Sequence, residues 1–239
     1  MVPLLENYPE LKIIAVDISP DLLVILNREA AKRSIDSRCL TVAMDAQRDY
    51  FVEGFADYVF GGAVLHHMVS PEKVVRTALR LLKPGGHAIF FEPFENGHFA
   101  LRWAYQQILA EAQRRGESGP GFNFLDALRE DIRVRTHRQE TPGFDQLWAQ
   151  LDDKWMFTRK YFERMAEEVG AKGVYIQPLH ALEAPFTTQT RVALTAYAGL
   201  KCPESLPVWA WEILDDLDKM LSTDLKEELL IEGSIVFER

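Results

Sequence analysis

The stretch Lys12-Ile13-Ile14-Ala15-Val16-Asp17-Ile18-Ser19-Pro20 reads as a short buried strand that ends in a carboxylate and passes at once into a capped helix. A continuous apolar run of this length suits a parallel strand covered on both faces. Ser19 supplies an N-cap and Pro20 fits the first helical position, while Leu22, Ile25, Leu26 and Ala30 give an apolar stripe at helical spacing. Outward from here the alternation repeats. A strand is expected over 38–43 and another from Asp57 to Phe60, opening into Gly61-Gly62. A helix follows from Ser70-Pro71-Glu72, with Val74, Val75, Ala78, Leu79 and Leu82 inward. Lys83-Pro84-Gly85-Gly86 stops it, and His87 to Phe91 is a further strand. Strands alternating with helices predict an α/β fold, a mostly parallel sheet with helices on both faces.

The rhythm changes after Glu92. Residues 99–115 read as an amphipathic helix broken by Gly116-Glu117-Ser118-Gly119-Pro120-Gly121, and no clear strand appears up to 157. The expected organisation is an incomplete half-fold over 1–94, a helical lid over 95–157, and the remainder of the fold over 158–239. In the last part Thr158 caps a helix ended by Gly170, Gly173 to Gln177 is a strand, 207–229 one long helix, and 230–238 a final strand.

Composition narrows the function. A formal charge of −9 argues against general nucleic-acid binding, because phosphates would be repelled. Arg133, Arg135 and Arg138 form a small basic cluster that reads as a solvated face. No apolar run approaches the ~20 residues of a membrane span, and the N-terminus has no signal-type core. Two cysteines, Cys39 and Cys202, are too few for a disulfide framework, so a cytoplasmic protein is expected.

Four segments in order resemble the class I S-adenosylmethionine (SAM)-dependent methyltransferases. Ile14-Ala15-Val16-Asp17-Ile18-Ser19-Pro20 resembles their second strand, and Ala43-Met44-Asp45-Ala46 the turn after the third. Ala56-Asp57-Tyr58-Val59-Phe60 with Val64-Leu65-His66-His67-Met68 resembles the fourth strand and its loop. Leu81-Leu82-Lys83-Pro84-Gly85-Gly86 with Phe91-Glu92-Pro93 resembles the turn into the fifth strand and its exit. Each is weak alone; the set over about residues 4–94 is specific.

The resemblance implies that SAM is the cofactor and a small molecule the methyl acceptor, at oxygen or nitrogen. It implies that Asp17 binds the ribose hydroxyls and Asp45 the adenine amino group, with Ile18, Ala46 and Gly61 beside the cofactor. A carboxylate at a strand's C-terminal end does face the crevice where open α/β sheets bind ligands. Helix capping by Asp17 and a simple turn at Asp45 are the structural alternatives. His66, His67 and Glu92 are the candidate catalytic residues, histidine being suited to proton transfer near neutrality. The histidine pair can instead pack under the cofactor, and Glu92 can hydrogen-bond a loop. His66, His67, Glu92 and His98 can be read as a metal set, but adjacent residues rarely both face one ion and no HxxxH or HExxH spacing occurs, so no metal is expected. Phe99, Trp103 and Tyr105 either line an acceptor pocket or belong to the core.

One element of the family is missing. Its glycine-rich loop should precede Asp17 by about 20 residues, yet the sixteen residues before Asp17 contain no glycine. Pro3 to Glu10 resembles the end of the helix that follows that loop. The expectation is therefore a fold lacking its first strand, with exposed sheet edges that favour a homodimer and with weakened SAM binding. The alternatives are a non-catalytic methyltransferase-fold protein acting through partners, or another activity such as ester hydrolysis, for which no GxSxG elbow is present.

Overall fold

A computed structural model describes residues 1–48, 50–136, 148, 150–179 and 182–239. Helix α1 (Val2–Asn7) leads into strand β1 (Ile13–Asp17), helix α2 (Pro20–Lys32) and strand β2 (Cys39–Ala43). β1 and β2 pair in parallel, with Asp17 opposite Ala43. The Ser19 hydroxyl accepts from Leu22 N as expected of an N-cap. The inward face of α2 differs from the sequence reading. Leu26 and Ala30 pack with the strands as expected and Leu23 is buried as well, whereas Leu22 and Ile25 are exposed, so the buried stripe is turned slightly from the expected one.

The second sheet holds β3 (Ala56–Gly62), β4 (Leu82–Pro93), β5 (Gly173–Pro178) and β6 (Glu232–Glu238) in the order β3-β4-β6-β5. β3 and β4 run parallel, while β6 lies antiparallel between β4 and β5. Lys83-Pro84-Gly85-Gly86 does not separate helix from strand. It forms a bulge inside β4, where the pairing jumps from Ala56–Leu82 to Tyr58–His87 and Gly85 takes a φ of +78°. No described strand joins β1 to β3, so the sheet is in two parts. Along these strands Ile14, Val16, Tyr58 and Phe60 remain exposed, at 40%, 37%, 56% and 54% of their surface.

Helix α3 (Pro71–Leu81) buries Val74, Val75, Ala78 and Leu79 against the second sheet. Helix α6 (Arg159–Val169) packs beside α3 into the same core through Phe162, Met165 and Ala166, with Thr158 and Gly170 at its ends and Arg76 of α3 donating to Glu168 O. Between them in sequence come helices α4 (Glu95–Arg115) and α5 (Pro120–Thr136). They do not form a core of their own. Leu101, Tyr105, Ile108 and Leu125 pack with Phe186 of helix α7 (Pro185–Val192) and with Ala210, Trp211 and Leu214 of helix α8 (Val208–Met220). The helical layer is thus assembled from two separate stretches of chain. Each fully buried Leu or Phe here contributes roughly 1.5–3 kcal/mol.

The long helix expected over 207–229 is two. α8 ends at Met220, and Ser222 caps a second helix, α9 (Thr223–Glu228), by accepting from Leu225 N. Gly97 explains how α4 reaches the second sheet. Its N–H donates to Leu230 O at 2.9 Å, and a Cβ there would collide with the Leu230 carbonyl. No described helix is long and apolar enough to cross a membrane. Arg138 of the basic cluster lies outside the described residues, while Arg133 pairs with Glu130 and Arg135 is buried.

Candidate functional site

β1 runs parallel to β2, and β3 to β4, and most of the sequence-predicted residues sit at or just beyond the C-terminal ends of these strands. Asp17 closes β1; its Oδ1 accepts from Ser19 N at 2.8 Å, and its carbonyl accepts from Met44 N at 3.0 Å. That last bond draws the turn after β2 against the end of β1. Asp45 follows directly, with Oδ1 accepting from Gln47 N at 2.9 Å and Oδ2 lying 3.7 Å from Arg48 Nε. Ile18 is 77% exposed, and Ala46 packs against the core of the second sheet. Gly61 is glycine for a packing reason: a Cβ would lie 2.5 Å from the Phe90 ring and 2.8 Å from Val64.

The loop after β3 is held from below. Glu92, fully buried at the exit of β4, accepts from Val64 N at 3.0 Å and Leu65 N at 2.7 Å through Oε1. Its Oε2 accepts from His66 N at 3.2 Å and lies 2.7 Å from His66 Nδ1. A buried carboxylate with four such partners is satisfied, which is the condition for keeping a charge inside. These bonds fold residues 65–67 into a single 3-10 turn, so both histidine rings emerge on the same side, 4.1 Å apart.

From above, the segment before α6 straps the same loop. Lys154 N and Trp155 N both donate to His66 O, at 2.7 and 3.2 Å, and Trp155 Nε1 donates to Met68 O at 2.7 Å. The strap carries Asp153 to the histidines. Its Oδ1 is 3.5 Å from His66 Nε2 and 3.3 Å from His67 Nδ1, and its Oδ2 is 3.5 Å from Arg135 Nη1. Arg135, at the end of α5, is otherwise tied to Asp131 at 3.3 Å and to Trp155 O at 2.8 Å. Its Nε is buried without a hydrogen-bond partner among the described residues.

Charge follows from this enclosure. Burial alone would lower the proton affinity of His66, but hydrogen bonds to Asp153 and Glu92 outweigh it and push the pKa up to about 9. The His66 contact, opposed by burial and aided by Arg135, holds Asp153 down at about 2. Glu232, across the strand pair from Pro93, is raised to about 7, mainly by burial, with Glu92 adding to the rise and His66 and Arg135 opposing it.

The structure thus brings His66, His67 and Glu92 together and adds Asp153, Arg135 and Glu232, which the sequence reading did not select. His98 lies apart, with Nδ1 2.9 Å from Phe94 O. Tyr105 is buried with its hydroxyl 3.1 Å from Thr190 Oγ1, whereas Phe99 and Trp103 are exposed.

Comparison with known proteins bears on the family and the fold. Residues 1–90 match the methyltransferase-domain family. The chain is 27% identical over 175 residues to the 27-O-demethylrifamycin SV methyltransferase of Amycolatopsis mediterranei, covering 73% of this chain and 59% of that one. It is 32% identical over 81 residues to the sterol 4-C-methyltransferase of Caenorhabditis elegans, covering 34% and 24%. Its fold matches that of phosphoethanolamine N-methyltransferase 2 of Haemonchus contortus in complex with SAM, with a TM-score of 0.54, 14% identity, and coverage of 100% and 45%. The chain spans less than two thirds of the length of each of these relatives. The first 90 residues thus match a methyltransferase domain, and the fold of the whole chain is the one seen in SAM-dependent methyltransferases.

Proposed function

We propose that this chain transfers a methyl group from SAM to a small-molecule acceptor. The observation that carries the reading is the hydrogen bond from Met44 N to Asp17 O. It sets Asp17 and Asp45 on neighbouring strand ends, and Ala46, next in sequence, packs against the core that holds Leu65 of the histidine loop. Asp17 uses Oδ1 for Ser19 N, so Oδ2 is its ribose-binding oxygen, while Asp45 meets the adenine amino group. Ile18, Ala46 and Gly61 complete the adenosine side.

The acceptor binds beside His67, whose side chain is 36% exposed. His66 and Glu92 are positioning residues, since they touch each other and the loop backbone. Displacement at a sulfonium carbon gains most from alignment and exclusion of water, which the strap over this loop supplies. The names of the relatives put methyl groups on oxygen, carbon and nitrogen, so they select no acceptor atom.

On the same reading the chain works as a homodimer through the unpaired edges of β1 and β3, where Val16 and Phe60 are exposed. A cytoplasmic setting fits cysteines that are both free. Ultraviolet cross-linking with methyl-labelled SAM tests the central reading. Label on peptides spanning 13–18 or 44–48, competed by S-adenosylhomocysteine, is expected. Label confined to other peptides contradicts it.

A further inference from the structure

We propose that His66, His67 and Asp153 form a binding site for a divalent transition-metal ion of the zinc type, with Glu92 as the outer carboxylate that orients His66. One nitrogen of each ring and one oxygen of the carboxylate all lie within 4.8 Å of one another. Two edges of that triangle, 3.5 Å from His66 Nε2 and 3.3 Å from His67 Nδ1 to Asp153 Oδ1, have the right length. A tetrahedral ion with bonds of about 2.0–2.1 Å spaces its ligands roughly 3.3–3.4 Å apart.

The objection from sequence, that neighbouring histidines rarely face one ion, is removed by the 3-10 turn. Its ring planes differ by 44° and both rings project from one side. The tautomer also fits. Glu92 Oε2, 2.7 Å from His66 Nδ1, holds a proton on that nitrogen, so Nε2 is the nitrogen that gives up its proton when an ion binds. A carboxylate behind a ligating histidine is the usual arrangement around such ions.

Arg135 is the nearby cation. It approaches Asp153 through the other oxygen, Oδ2, and Asp131 offsets its charge. His67 Nδ1 is also 3.0 Å from the Asp152 carbonyl, so metal binding there shifts the ring proton to Nε2. Two nitrogens and one oxygen leave a fourth position open, as in catalytic rather than structural sites.

On the methyltransferase reading, on which this last step rests, the open position takes a hydroxyl oxygen of the acceptor. The O–H proton leaves to water, an oxygen lone pair forms the new C–O bond, and the S–CH3 electron pair returns to sulfur.

The test needs neither SAM nor acceptor, so its outcome is separate from that of the cross-linking. Chelator-treated full chain is titrated with zinc chloride by calorimetry, and with cobalt chloride by visible absorption. One ion per chain at micromolar affinity or tighter is expected, with the strong d–d bands of a four- or five-coordinate site. His67→Ala and Asp153→Asn, both at partly exposed positions, should each weaken binding about 10-fold or more, whereas His87→Gln should not change it. Absence of binding, or affinity unchanged in both variants, or loss only in His87→Gln, overturns the proposal.

Discussion

The Glu92 carboxylate lies 2.7 Å from His66 Nδ1 while also accepting the N–H groups of Val64, Leu65 and His66. One buried side chain therefore fixes both the backbone of the loop after β3 and the orientation of its first histidine. Asp153 meets the same ring from the other side, so the loop is clamped between the sheet and the strap that precedes α6.

Removing that clamp from below should be costly. Glu92→Gln keeps one acceptor oxygen but loses the charge opposite His66 and places an amide against backbone donors. Breaking one side of a buried ion pair costs about 3–5 kcal/mol. Urea denaturation should show it. Asp153→Asn should cost under about 1 kcal/mol, because that side chain is 44% exposed.

Glu232 gives the protein a pH dependence of unusual sign for a carboxyl. Its folded pKa, about 7, lies above the ordinary value of 4.5, so the folded state holds the proton longer than the unfolded chain. The contribution is fully present below about pH 4.5 and is lost as pH rises through about 7. Glu232→Gln should flatten the stability curve over that window and stabilise the protein at pH 8 by about 2 kcal/mol. Thermal melts across the pH range check this.

Gly97→Ala should destabilise despite alanine's higher helix propensity. The added Cβ meets the Leu230 backbone rather than a movable side chain. A loss of roughly 1–3 kcal/mol in urea is expected.

Light scattering should give twice 27.4 kDa for the wild-type chain. Val16→Lys with Phe60→Lys, which places cations along the two open edges, should return it to the monomer. A monomeric wild type contradicts the dimer.

Much of the fold was legible because it rests on local rules. Ser19-Pro20 and Thr158 marked helix starts, Gly116 and Gly170 marked ends, and apolar runs such as 13–17 and 87–91 marked strands. The turn of the α2 stripe was not legible. Leu26 and Ala30 of that stripe do face inward, but Leu22 and Ile25 fit the helical period as well as the buried Leu23 does, and only the packing of the helix decides between them. The break at Leu221-Ser222 was likewise hidden inside a continuous helical pattern.

At the candidate site, Asp17, Asp45, His66, His67 and Glu92 stood out in the sequence because each lies at or just beyond the end of a strand. Asp153 was not, since it reaches His67 across 86 residues of chain through the backbone bonds of Lys154 and Trp155 to His66. Arg135 and Glu232 join by the same long-range packing. No spacing rule signals such a meeting.

The central claim is that adenosine sits against Asp17. Calorimetric titration of the chain with SAM, beside the Asp17→Asn variant, tests it most directly. Asparagine keeps the oxygen that Ser19 N uses and removes the charge, so the turn should survive. One SAM per chain is predicted, bound at least about 10-fold more weakly by the variant, as loss of a charged hydrogen-bond partner worth roughly 1.5–3 kcal/mol requires. Equal affinity in the two proteins, or no binding to the wild type, contradicts the account.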